Sequence, residues 1–319
     1  MEALNLEYIR IAVALIGVGA AAYQDYKTSF IDEKIIYLML LVALVLNFLP
    51  FITENSYLIV YALIVSIVIL ALGYVFYRKG QLGMGDVLLF VAIQQLLPLA
   101  PLSLRFLNPI SFGLDFSALS EFSGDNWFLI GYLNVFKHFL FLLTIFLASS
   151  FLATIGSSMQ YAIALVESKK RLKPNMLVGT ASIIGLFLGA VFLYFYFGVS
   201  IASAMFMLLF LSSAFFLTFR QQILDEIVIQ RIPIPKIEDE DILAMEKMPP
   251  EIVRKYGLER VLTQKQVKKL SEIQKKEGMK LFPISKVLPR FGPYIFIALV
   301  IGILFGNILE IIGLLSMRF

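Results

Sequence analysis

Two acids stand where apolar runs end. Gln24-Asp25 closes the run over 8–22. Asp86 ends the stretch Gln81-Leu82-Gly83-Met84-Gly85-Asp86, between the apolar run 57–77 and a second, 87–99, that is broken only by Gln94 and Gln95. An ionised carboxylate near hydrocarbon depth is expensive, and such a side chain usually has a task. Two carboxylates brought within a few ångströms cannot both ionise cheaply, so the pair shares one proton near neutrality. One member can then act as base toward water and the other as acid toward a scissile carbonyl. Gly83 and Gly85 would let the backbone turn tightly and let another segment approach without a Cβ in the way. The bland roles are open at this point. Aspartate is a favoured N-cap, which would suit Asp86 at the start of the next helix. Asp25, beside Lys27, fits an interfacial acid.

The elements that must position these acids are membrane helices. The chain has 319 residues, of which 59% are hydrophobic and 16% charged. Its mean hydropathy is +0.85. A soluble domain is about 45–50% apolar and about 25% charged, so the composition implies an all-α polytopic membrane protein. A formal charge of +4 does not point to nucleic acid, because the basic residues lie beside apolar runs and in one insert. With no cysteine there is no disulfide, thiolate metal site or cysteine nucleophile, and one histidine makes no histidine metal site. No metal and no cofactor are expected. The first run lacks a basic flank and a cleavage signature, and reads as a retained span.

A span needs about 20 apolar residues. On that rule about eight helices fall at 6–24, 35–53, 57–77, 86–99, 129–155, 176–197, 199–219 and 291–314. Lys27 and Lys34, Arg78 and Lys79, and Lys169, Lys170, Arg171 and Lys173 mark three cytoplasmic loops, whereas 47–56 and 100–126 carry Arg105 alone and read as external. Asp25 and Asp86 then share the cytoplasmic side.

Three parts follow: a membrane bundle over 1–219, a soluble insert over 220–290 and a final transmembrane helix in 291–319. The insert is expected to be a small cytoplasmic α+β unit. It holds more than half of the Lys and Arg residues and the run Glu238-Asp239-Glu240-Asp241. Alternation over 226–234 suggests a strand. Thr263 and Gln266 suggest a capping box opening an amphipathic helix. About 70 residues make a thin core, which would lean on the membrane surface or nearby loops. Pro283, Pro289 and Pro293 punctuate the return to the last span.

Gly83-Met84-Gly85-Asp86, with Gln24-Asp25 ending the first span, resembles the GxGD aspartyl proteases, and among them the archaeal preflagellin and type IV prepilin peptidases. The likeness covers about residues 1–100 and recurs loosely in Phe282-Pro283 and Phe291-Gly292-Pro293. It implies Asp25 and Asp86 as the catalytic dyad, with Gly83 and Gly85 shaping its loop. It implies an endopeptidase of the plasma membrane that cuts short basic leaders from prepilin- or preflagellin-like precursors on the cytoplasmic face. The bilayer and those precursors would be its partners. The bacterial relatives add a four-cysteine segment and methyl transfer. This chain has no cysteine, and no methyltransferase activity is expected. Smaller archaeal members have six spans, so 176–219 would be an extra hairpin.

Two rivals remain. A presenilin-like intramembrane protease also uses GxGD, but it would carry a Pro-Ala-Leu element in a late helix, and none is found. An ion- or proton-coupled transporter would place acids deep in several spans and break helices in corresponding halves. Neither feature is found. Among other residues, His138 with Lys137 suits snorkelling or an interhelical contact. Glu310 reads as interfacial. Gln94 and Gln95 would line a polar pocket or bond between helices. The run 238–241 reads as a solvated loop, with reception of a basic leader as the sharper alternative. Asp32 and Glu33 are the alternative acids.

Overall fold

The computed structural model describes residues 2–53, 56–98, 127–168, 171–198, 200–238, 241–286 and 290–306. The loop 100–126 with Arg105, and Lys169, Lys170, Asp239, Glu240, Pro289 and Glu310, lie outside the described residues, as do the side chains of Lys137 and His138.

Apolar sequence and few breakers give long helices: α1 (Glu2–Thr28), α2 (Glu33–Thr53), α3 (Ser56–Arg78), α4 (Met84–Leu96), α5 (Trp127–Glu167), α6 (Met176–Phe197) and α7 (Ile201–Ile223). Pro98 follows one residue after α4, and the residue before proline leaves the helical region; Leu97 has φ −118° and ψ 69°. Among the described residues, five stretches are long and apolar enough to cross a membrane: Leu6–Thr28, Val60–Arg78, Phe141–Glu167, Met176–Phe195 and Ser203–Val228. Met84–Leu96 and Gly292–Phe305 are shorter apolar helices. The chain is a multi-pass membrane protein. Leu177 and Phe195 of α6, 82% and 75% exposed, present the apolar surface that only lipid covers comfortably.

Several expected boundaries shift. α1 runs to Thr28, which places Asp25 inside its last turn. α5 runs to Glu167 rather than 155, since neither glycine nor proline interrupts 157–167. α4 begins at Met84, two residues before the expected start.

The core packs α1 against α2, α4 and the last helix, and the last helix against α5, around buried Ala14, Val18, Ile36, Ile93, Ile145 and Leu299. A polar chain crosses it. The Arg10 guanidinium donates to Asn47 Oδ1 at 2.6 Å and to the Leu96 carbonyl. Asn47 Nδ2 donates to Gln95, and Gln95 Nε2 donates to Ser66 Oγ at 2.8 Å. The chain ties α1, α2, α4 and α3 together far from Asp25, about 22 Å along α1 at 1.5 Å per residue.

After α7 come β1 (Ile229–Ile232), β2 (Ile242–Leu243), α8 (Pro250–Tyr256), α9 (Gln264–Glu277), β3 (Phe282–Ser285) and α10 (Gly292–Phe305). The strands form an antiparallel sheet in the order β1-β3-β2, with Ile229 opposite Ser285 and Leu243 opposite Ile284. Leu243, Leu262, Leu270, Ile273, Phe282 and Ile284 are buried beneath it in a core of their own. The expected strand over 226–234 shortens to β1, because 224–228 continues α7 as a wide helical turn. Thr263 is the N-cap of α9, but its side chain makes no capping bond, and Gln266 is buried instead. Phe282-Pro283 forms the central strand, which no sequence signal indicated.

Candidate active site

Each acid comes from a helix end. Asp25 lies in the last turn of α1 and is 7% exposed. Its Oδ2 accepts the Gly292 N–H at 2.8 Å, the first residue of α10. A Cβ at position 292 would stand 3.0 Å from that oxygen and 3.3 Å from the Ala22 Cα, so only glycine lets α10 come this close. The helix N-terminus favours a negative charge at this point. Arg290 stands near enough for its charge to act on Asp25. Arg290 Nε donates to Ser29 Oγ at 3.1 Å, and the guanidinium lies over the Tyr26 ring.

Asp86 occupies the third position of α4 rather than its N-cap. Gly83, in extended conformation, is the N-cap, and its N–H donates to Asp86 Oδ2 at 3.3 Å. The backbone residue that turns the chain with positive φ is Gly80, at 65°; Gly83 and Gly85 do not share that conformation. Their use is close approach. A Cβ on Gly83 would meet Asp86 Oδ2 at 3.2 Å, and one on Gly85 would meet Ile31 Cβ at 3.2 Å.

Asp25 and Asp86 line one cavity of about 810 Å³, close enough for the charge of Asp25 to act on Asp86. Gly83 and Gly85 line it as well, between the α1–α2 loop and the α3–α4 turn. Ser150, Thr154 and Ser157 line it from α5, and Ile242, Val261 and Lys286 from the insert. Among the described residues, none of α6 or α7 lines it. A carboxylate pair facing one cavity has the parts of a general acid–base site for hydrolysis.

The other candidates fall elsewhere. Asp32 caps α2, its Oδ1 accepting the Lys34 N–H at 3.0 Å, and Glu33 accepts the Tyr37 hydroxyl. Neither lines the cavity. Gln95 bonds between helices and does not reach it. Of the run 238–241, the Glu238 side chain is solvent-exposed and the Asp241 side chain is largely shielded. Lys286 reaches Asp241 at 2.9 Å and Glu238 at 3.1 Å, the Asp241 side chain is 11% exposed, and all three lie on the cavity. Burial pulls the Lys286 ammonium down, but its bonds to Asp241 and Glu238 outweigh that and hold it above the ordinary lysine value. Gly292 and Arg290 went unassigned in the sequence. Their one signal was Gly-Pro opening an apolar helix.

The model of the type IV leader peptidase family matches residues 12–158. Prepilin peptidase EppA of Methanothermobacter thermautotrophicus is 30% identical over 102 residues, which is 32% of this chain and 26% of that protein. The chain therefore aligns with about a quarter of the length of this relative. No solved structure matches it. Residues 12–158, which match the type IV leader peptidase family, are the segment that brings Asp25 and Asp86 to one cavity.

Proposed function

We propose that this protein is a membrane aspartic endopeptidase that removes short basic leaders from prepilin- or preflagellin-like precursors at the cytoplasmic face. The observation that carries the reading is the convergence of Asp25 and Asp86, from two helices 61 positions apart, on one cavity. The family match over the segment that holds both acids supports it. The ion cluster Glu238–Lys286–Asp241 on the same cavity supports a basic leader, since its two carboxylates exceed its one ammonium and leave a net negative charge. The bundle would have eight spans, with 220–290 as the cytoplasmic insert and 176–219 as a hairpin outside the catalytic bundle. The pair would activate water without a bound metal or cofactor.

Asp25→Asn and Asp86→Asn keep the side-chain shape and remove the titratable group. Each should abolish cleavage of a precursor by the purified, detergent-solubilised protein at normal abundance. The double variant should be no worse than either single, because groups that act as one unit are not additive. Substantial turnover by either single variant would sink the assignment.

A further inference from the structure

The two aspartates are not equivalent. Asp25, 7% exposed, accepts a short N–H bond from Gly292 and faces the first turn of α10. Arg290 adds a positive charge on the same side. Asp86 also sits in a helix first turn, that of α4, but the bond it accepts, from Gly83, is longer, and among the described residues no cation pairs with it. The remaining charges on the cavity, Lys286, Glu238 and Asp241, are engaged with one another.

We propose that Arg290 and the Gly292 N–H are positioning groups that keep Asp25 the charged member of the pair, so that Asp25 is the base and Asp86 the acid. The assignment rests on the peptidase reading above. In the first step the Asp25 carboxylate takes a proton from water while the water oxygen bonds to the scissile carbonyl carbon. The Asp86 carboxyl gives its proton to the carbonyl oxygen. In the second step one hydroxyl of the resulting gem-diol returns a proton to Asp86. The carbon–nitrogen bond breaks, and Asp25 passes its proton to the leaving nitrogen. One water is consumed, one peptide bond is lost, and both acids return to their starting states. An anion held by a helix N-terminus and a nearby guanidinium is suited to the first of these roles.

Arg290 is exposed, so its replacement should leave the fold intact. Arg290→Gln can still donate to Ser29 but carries no charge, and Arg290→Lys restores a cation. With a precursor as substrate, Arg290→Gln should lower kcat about tenfold with KM unchanged, and Arg290→Lys should recover most of the loss. A role confined to holding Ser29 would leave Arg290→Gln with normal kcat. That result overturns the proposal, as does a loss that lysine does not repair or one that falls on KM. Asp25→Asn and Asp86→Asn run alongside separate the two levels. Cleavage that survives them removes the peptidase pair itself, whereas their inactivity together with a normal Arg290→Gln removes only the division of roles.

Discussion

Gly83 and Gly85 are two residues apart yet touch different things. Gly83 abuts the Asp86 carboxylate and Gly85 abuts Ile31, which is buried between α1 and α2. A methyl group on Gly83 leaves the described packing alone but crowds Asp86 Oδ2 and strains the bond it accepts from the Gly83 N–H. A displacement of about 1 Å in a reacting group can cost around a hundredfold in rate. Gly83→Ala should therefore lose tenfold or more in cleavage per folded molecule, with thermal melting in detergent unchanged. Gly85→Ala should lower melting as well, because Ile31 must move by a few tenths of an ångström and is β-branched. Normal specific activity in Gly83→Ala would remove that glycine from the site. At this scale the sequence showed the acids, because a carboxylate at the end of an apolar run stands out without any partner in view. It did not show Gly292 as the partner of Asp25. That contact joins positions 267 apart, and local patterns such as caps and periodicity carry no trace of it.

Among the elements, the insert is the one whose stability and function can be separated from the bundle. Its core is small, with Leu270 and Phe282 fully buried between α9 and the sheet. A domain of this size keeps little stability in reserve. Leu270→Ala removes three buried carbons and should cost roughly 2–5 kcal/mol. Limited proteolysis in detergent should then cut within 229–286 while the membrane helices stay protected. Because Ile242, Val261 and Lys286 line the same cavity as the two acids, cleavage of precursor should fall with the loss of the insert. Undiminished cleavage by a nicked protein would detach the insert from the site. Apolar length made the helices legible, and the amphipathic pattern of α9 was legible from Thr263 onward. The central strand was not. Phe282-Pro283-Ile284-Ser285 is short and contains proline, which tells against a strand until its two flanking partners are seen.

For the whole molecule the open quantity is which side of the membrane the cavity faces. Basic residues in short loops hold to the cytoplasm, and Lys79, in the turn beside Gly80, marks the face of the cavity itself. The helix order agrees with the loops: α3 ends and α4 begins at that turn, and α1 ends at Thr28 on the same cavity. The chain has no cysteine, so one introduced thiol is a unique reporter. Lys79→Cys lies at an exposed position, and Asn108→Cys falls in the 100–126 segment read as external. Treatment of intact cells with a membrane-impermeant maleimide should label Asn108→Cys at once and Lys79→Cys only after the membrane is opened. Both variants should still cleave precursor, and that activity shows the labelled protein is correctly inserted. Labelling of Lys79→Cys on intact cells would put Asp25 and Asp86 outside. It would also exclude processing of leaders before export, because a leader on the cytoplasmic side could then not reach Asp25 and Asp86.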